Sequence, residues 1–570
     1  MDRLILSVFL LCLFVFSQSG NAQTKAASEN LPEEIIRITP SDDLFVSGSN
    51  LYYQVLATFK DNSLSDFSKV AEVGLYNAKG ERLAIQKVLL NNGTGNGRFF
   101  IESSLPSGEY FLLAATNWSM NNREHPKFAE QEFLLLNPFQ RLPVSEAGDA
   151  IRVNFKAQAG GASAEEANNR KPITLSTDKE KYGFREKVQL TIKNDAAFQT
   201  PFSISVERVK PLEIVKAPNE LGVEVTQEQL FVPTIRGSLI QGSIAAKEGA
   251  LSVANQPIAL SIPGKQYVFK LDRTNSEGEF LFTLDEGEYS YKDINVYVVG
   301  ADEEDFEVRL DPSVLDYIQP EREAANLQVD EALKEWIEFK STANQIENAY
   351  FETKTDSVAF PPVKDHFYTP LGVVYRLDDY TRFATVNETF IEIITSAALR
   401  KQGDNYIFKV YNYQDDVNTT GMAKLRPLVL IDGILINDNA ILAGYNSREI
   451  ETITVVAGNY RYGPELFAGI IDVETKEGNY GDRSQLVDFE YLYPLLEAEY
   501  YQPQYSREDL SNIPDYRTLL LWDHDLNLKN KTTIKKEFYT SDLEGLYKVE
   551  VKGYDDAGEE AKAIYYFTVE

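Results

Sequence analysis

The chain has 570 residues, 43% of them hydrophobic and 12% aromatic, more than one core can hold and suited to several domains rich in pleated structure. A formal net charge of −31 repels phosphate backbones, which argues against a nucleic-acid partner. Mainly β, multidomain architecture is the expectation that follows.

Residues 1–22 read as a signal peptide, with Arg3 before an apolar run from Leu4 to Phe16 and a small-residue cleavage site ending at Ala22. Cys12, the single cysteine, lies inside that run. The exported mature chain is therefore expected to lack disulfides, thiolate metal sites and cysteine nucleophiles. No later segment approaches 18 consecutive apolar residues, so membrane association is expected to be peripheral, in the periplasm or at the outer membrane.

Residues 31–140 alternate short apolar runs with Gly and Asn punctuation, as in "NLYYQVLATF" and "VAEVGLYNAKGERLAIQKVLL", the pattern of a β-sandwich. The order of "SDDLFVSGS", the "GERL" turn and "LPSGEYFLLAATNW" resembles the second macroglobulin-type (MG2) domain of bacterial envelope proteins. The thioester of the inhibitory macroglobulins is excluded by the missing cysteine. "GGASAEEANNR" lies in a linker, 157–171, and a second, Ig-like sandwich is expected over 172–232. Residues 233–310, with the "NSEGEF" turn between strands, are similar to the carboxypeptidase regulatory-like sandwich. A helical linker over 311–365 follows, where Leu333, Trp336, Ile337 and Ile346 recur near a 3.6 period. The final segment, 486–570, returns to period-two alternation and predicts a separate C-terminal sandwich.

Between them, 366–485 mixes strand and helix. "NETFIEIITSAAL" predicts a helix capped by Asn387, and Asp432-Gly433 after the apolar run Leu428 to Ile431 predicts a hairpin turn. "SREIETITVV" couples a helical turn to a strand. Ile431-Asp432-Gly433, Ile450 to Val455, Tyr462-Gly463 and Gly469 to Gly478 occur in the order that resembles the plug domain of TonB-dependent outer-membrane receptors. A 22-stranded receptor barrel needs more than roughly 200 strand residues, and too few follow Gly478 to supply them. No TonB-contact box is evident near Gln23. The resemblance, shared with exported multidomain proteins of Bacteroidetes type, implies a plug-like module without its own barrel. Its implied partner is a protein, either an outer-membrane β-barrel made by another chain or a secretion or transport complex.

Chemical motifs are sparse. His125, His366 and His524 are the only histidines and are widely separated, so a histidine metal site or catalytic triad would need unexpected contact between domains. "WDHDL", Trp522 to Leu526, is the most chemical-looking cluster, and its plain reading is a polar strand end with Trp522 in the core. Asp378-Asp379 and the run Asp302 to Asp305 offer oxygens for calcium but lack EF-hand spacing. "GTGNG" sits between strands and reads as a hairpin loop, and phosphate-loop, dinucleotide, zincin and nucleophile-elbow motifs are missing. Tyr52-Tyr53, Tyr460-Tyr462 and Tyr500-Tyr501 would stack on sugars or a partner if exposed. The partner-contact residues proposed from sequence are Asp432, Gly433, Tyr460, Arg461 and Tyr462, with no catalytic, cofactor or metal residue expected. The leading expectation is a non-enzymatic envelope scaffold whose plug-like domain docks on or occludes an outer-membrane partner. A glycan or peptide binder, with calcium in support, is the alternative, and an acidic hydrolase is the third.

Overall fold

A computed structural model describes residues 32–140, 150–156, 173–215, 222–226, 230–247, 251–286, 288, 293–300, 305–321, 326–362, 364–403, 405–411, 425–483, 488–507, 511–530 and 532–570. The signal peptide, Cys12, the region near Gln23, the linker 157–171 and Asp302 to Glu304 lie outside them. The described chain is mainly β, and it divides into two compact units.

The first unit comprises residues up to 235, 314–359 and 495–570. Its leading sandwich sets the sheet Glu34–Pro40, Asn50–Phe59, Thr94–Phe100 against a second sheet that runs Leu44–Val46, Ala129–Leu136, Gly108–Thr116, Val70–Asn77, Arg82–Leu89. Leu51, Tyr53, Val55, Val73, Leu112 and Leu135 fill the space between, as alternation predicts. Part of "GTGNG" belongs to the strand Thr94–Phe100 itself, with Gly93 at positive φ in the turn before it.

The two sandwiches expected over 172–232 and 486–570 are one. Lys187–Asn194 pairs antiparallel with Thr532–Tyr539, and Phe202–Arg208 lies between Leu519–Leu526 and Gly545–Tyr554. Val188, Ile204 and Val206 share a core with Phe538, Tyr547, Val551 and Phe567. Period-two alternation marks a half-buried strand but carries no record of its neighbour, so strands more than 300 residues apart look like separate domains in sequence. The helix Lys334–Ala349 forms inside the predicted region, while Asn326–Val329 before it is a strand that pairs parallel with Ala150–Phe155. Leu333 and Ile337 close an apolar layer over Leu44, Val46, Leu136 and Val153.

The second unit comprises 236–313 and 360–494. Its sandwich faces the sheet Glu279–Leu284, Ser238–Ala246, Phe306–Leu310 against Val268–Arg273, Pro257–Ile262, Ile294–Val298, Asp488–Phe489. Beside it stands an α/β module whose mixed sheet runs Val373–Arg376, Ile450–Val456, Ile470–Thr475, Leu428–Ile431, Ile434–Leu435. Leu428–Ile431 and Ile470–Thr475 are parallel, and their neighbours antiparallel. All four residues of Leu428–Ile431 are buried because the sheet is covered twice. Val429 and Ile431 meet the helices Val386–Glu392 and Asn439–Ala443 on one face, together with Phe390 and Leu442. Leu428 and Leu430 meet Tyr267, Phe269 and Leu271 of the sandwich on the other.

Two local expectations are sharpened. Ile431 pairs with Ile434 across Asp432 (φ 47°) and Gly433 (φ 84°), the left-handed pair that a two-residue type I′ hairpin demands. The helix predicted over "NETFIEIITSAAL" is shorter. It runs Val386–Glu392 and is capped by Thr385, not Asn387, through a capping box with Glu388, while Ala397–Gln402 is a strand. Thr385-x-x-Glu388 satisfies two orphan N–H groups at once, which an Asn387 cap would not.

Candidate functional site

The five residues proposed from sequence as partner contacts gather at the joint inside the second unit. Asp432 is fully buried in its hairpin. Its Oδ1 accepts from Thr475 N at 2.8 Å and its Oδ2 from Thr475 Oγ1 at 2.5 Å and Tyr480 N at 3.0 Å. These bonds tie the turn to the end of the neighbouring parallel strand. Gly433 is buried against Tyr267, and a Cβ there would stand 2.5 Å from Tyr267 Cβ. Its carbonyl accepts from Ser261 Oγ at 2.9 Å. Tyr460 donates to Phe367 O at 2.9 Å, and Tyr462 donates to Phe269 O while its ring stacks on Phe367 at 4.0 Å. Of the five, Arg461 is the exposed side chain.

The face of the module sheet that meets the sandwich carries two acids. In Ile470–Thr475, alternation sends Ile471 and Val473 toward the helices and Ile470, Asp472 and Glu474 the other way. Asp472 is 1% exposed. Its Oδ2 accepts from Tyr267 Oη at 2.6 Å and Tyr368 Oη at 2.5 Å, whereas among the described residues Oδ1 has no hydrogen-bond partner. His366 lies beside them, its ring stacked 4.6 Å from Tyr267 and 5.6 Å from Tyr368. Its Nε2 is 2.8 Å from Glu474 Oε1, and Glu474 Oε2 accepts from Thr452 Oγ1 at 2.9 Å.

Burial pushes the Asp472 carboxyl up to about 6, against the pull of the two tyrosine hydroxyls. Burial and the adjacent acid push both phenols well above their ordinary value, so they remain donors. The hydrogen bond to Glu474 raises His366 in spite of burial, and burial of Glu474 is outweighed by the bonds from His366 and Thr452, which lower it. One ligand atom from each of His366, Asp472 and Glu474 fits within 4.8 Å of the others. Sequence reading missed this cluster because His366 stands 108 residues from Glu474. The available signal was "IIDVET", two acids at period two in a strand beside the apolar Ile470, Ile471 and Val473.

The other chemical-looking features are dispersed. In "WDHDL", Trp522 and His524 are buried on one side of the strand Leu519–Leu526, His524 Nε2 lies 3.3 Å from Glu497 Oε1, and Asp523 pairs with Lys536. His125 Nδ1 meets Glu33 at 2.6 Å. Asp378 is exposed and engaged by Arg382 and Lys476. Tyr52 and Tyr53 are buried, and the Tyr500 ring packs edge-on against Tyr52 at 5.3 Å.

The module sheet has two unlike edges. Ile434–Leu435 is covered by the sandwich, with Leu435 N donating to Tyr297 Oη at 3.2 Å. Val373–Arg376 pairs with Ile450–Val456 on one side and, among the described residues, with no strand on the other. Leu371, Val373 and Val374 there are 55%, 51% and 53% exposed. No helix among the described residues is long and apolar enough to cross a membrane.

No protein-family model matches the chain, and no curated protein matches it. Among solved structures, the native conformation of Escherichia coli alpha-2-macroglobulin aligns with 94% of this chain and 22% of its own at 9% identity and a TM-score of 0.16. A tetra-tandem repeat from the extending region of a large adhesion protein aligns with 95% of this chain and 100% of its own at 7% identity and a TM-score of 0.14. Dimeric latent PorU from Porphyromonas gingivalis aligns with 53% of this chain and 34% of its own at 7% identity and a TM-score of 0.16. The chain spans less than a quarter of the length of the macroglobulin it matches. The structural neighbours thus include macroglobulins and adhesins, and similarity at this level assigns the chain to none of them.

Proposed function

We propose that this chain is a non-enzymatic interaction protein of the cell envelope, whose plug-like module docks on an outer-membrane β-barrel protein by offering a free sheet edge. The observation that carries the reading is Val373–Arg376, an edge strand that among the described residues is paired on one side only, with Leu371, Val373 and Val374 exposed. Edge strands usually carry protection such as lysines, bulges or covering loops, because unpaired N–H and C=O groups invite another strand. Apolar side chains beside such groups suit strand addition, in which backbone bonds supply affinity and side-chain pockets specificity. The ordered plug-like motifs, resembling those of exported proteins of Bacteroidetes type, support the choice of an outer-membrane partner. The inward packing of Tyr52, Tyr53, Tyr460, Tyr462 and Tyr500 leaves the glycan-binding alternative without a stacking platform at those positions.

A photo-crosslinking residue at position 374, activated in intact envelopes and followed by mass spectrometry, tests this. The expected result is a crosslink to an outer-membrane barrel protein that is lost when Val373 is also replaced by Lys. Crosslinks restricted to soluble proteins, or unchanged by Val373→Lys, would overturn the reading.

A further inference from the structure

We propose that His366, Asp472 and Glu474 form a binding site for one divalent transition-metal ion, of which Zn²⁺ is the best-suited probe, at the joint between the module sheet and the sandwich of the second unit.

The donor set fits the chemistry. One imidazole nitrogen and two carboxylate oxygens are common ligands for Zn²⁺ and its first-row neighbours, whereas Ca²⁺ and Mg²⁺ prefer oxygen alone. Two ligand atoms each about 2.1 Å from one metal stand roughly 3.0–3.4 Å apart in octahedral or tetrahedral arrangements. His366 Nε2 and Glu474 Oε1, now 2.8 Å apart, need to separate by only a few tenths of an ångström. One donor atom from each residue lies within 4.8 Å of the others, so the widest pair must close by up to about 1.4 Å to reach a bound separation.

The unpartnered Asp472 Oδ1 is the independent sign of a missing ligand. A carboxylate oxygen buried without a donor is unfavourable, more so when charged, so native structures rarely leave one. Here Oδ2 accepts from the Tyr267 and Tyr368 hydroxyls, an arrangement that fixes the carboxylate, while among the described residues Oδ1 has no hydrogen-bond partner. Outer hydrogen bonds of this kind orient metal ligands. Thr452 does the same for Glu474, bonding Oε2 and leaving Oε1 for the site, while Tyr267 and Tyr368 flank the imidazole and set its plane. The side chains of His366 and Glu474 are 23% and 25% exposed, which gives an ion and its remaining water ligands access from one side.

Binding would exchange the proton between His366 and Glu474 for the metal. Neutral Nε2 and Oε1 become ligands, and the buried acid gains a counter-charge. Because His366 precedes the module's first strand and both acids sit on Ile470–Thr475, the ion would pin that segment to the sheet. The site does not depend on the docking edge, so either proposal can fail alone.

The test is equilibrium dialysis of the full mature chain against Zn²⁺ with metal analysis, supplemented by Co²⁺ absorption. The expected result is one retained Zn²⁺ per chain, with affinity reduced at least tenfold in His366→Gln and in the partly exposed Glu474→Gln, and unchanged in His125→Gln and His524→Gln. Co²⁺ should give a visible ligand-field spectrum that His366→Gln abolishes. Absence of stoichiometric retention by the wild-type chain, or retention that His366→Gln and Glu474→Gln leave intact, overturns the proposal. Circular dichroism of Glu474→Gln separates loss of ligand from loss of fold, since this acid is not in the core.

Discussion

Replacing Asp432 by Ala should open the module sheet, a consequence that a surface contact residue would not have. Its carboxylate accepts from Thr475 N, Thr475 Oγ1 and Tyr480 N in a site closed to water. Removal strands two backbone N–H groups, each costing about 1–3 kcal/mol when buried and unpaired. The Thr475 hydroxyl can turn elsewhere and adds little. Alanine at φ 47° adds about 1 kcal/mol, because its Cβ disfavours the left-handed region that Asp tolerates. The total is about 3–7 kcal/mol, whereas Asp432→Asn, which keeps one oxygen and the tolerance of that φ, should cost about 1–3 kcal/mol. Hydrogen exchange with mass spectrometry on the whole chain reads this locally. Amides of Leu428–Ile431 and Ile470–Thr475 should exchange about 10²–10⁵ times faster in Asp432→Ala, at 1.4 kcal/mol per decade, while Gly545–Tyr554 in the other unit stays unchanged. Exchange in the two module strands within twofold of wild type would refute the reasoning and return Asp432 to the status of a contact residue.

Thr385→Ala should loosen the helix Val386–Glu392 by about 1 kcal/mol, seen as faster exchange of its amides, while Thr385→Ser and Asn387→Ala change little; a larger effect from Asn387 would restore the cap read from sequence. Glu550, buried among Lys548, Lys552 and Lys562, is held down to about 2, the lysines outweighing the burial that would raise it. An acid depressed on folding contributes stability above its unfolded value, about 4.3, and loses it as pH falls through the folded value. The thermal midpoint of wild type should therefore exceed that of Glu550→Gln near neutrality, with the gap, worth up to about 3 kcal/mol, closing between about pH 4.5 and 2; a gap independent of pH would contradict the ion cluster.

Local rules acting between neighbours in the chain are legible in the amino-acid sequence. "IDG" dictates a two-residue hairpin because only the left-handed region closes it, and Asp and Gly accept that region. "SREIETITVV" forms a single helical turn, Ser447–Glu449, followed by the strand Ile450–Val456. Alternation marks the half-buried strands, and the wholly apolar "LVLI" marks a strand covered on both faces. Composition by itself also sets the shortage of thiols and histidines that narrows the available chemistry. What alternation lacks is any record of the partner. The pairing of Lys187–Asn194 with Thr532–Tyr539 makes two apparent domains one, and the packing of Tyr267 against Gly433 turns two proposed contact residues into a joint. The meeting of His366 with Asp472 and Glu474 belongs to the same class. Burial, stacking and ligand geometry arise from side chains brought together across a hundred residues or more, and tertiary contact alone decides them.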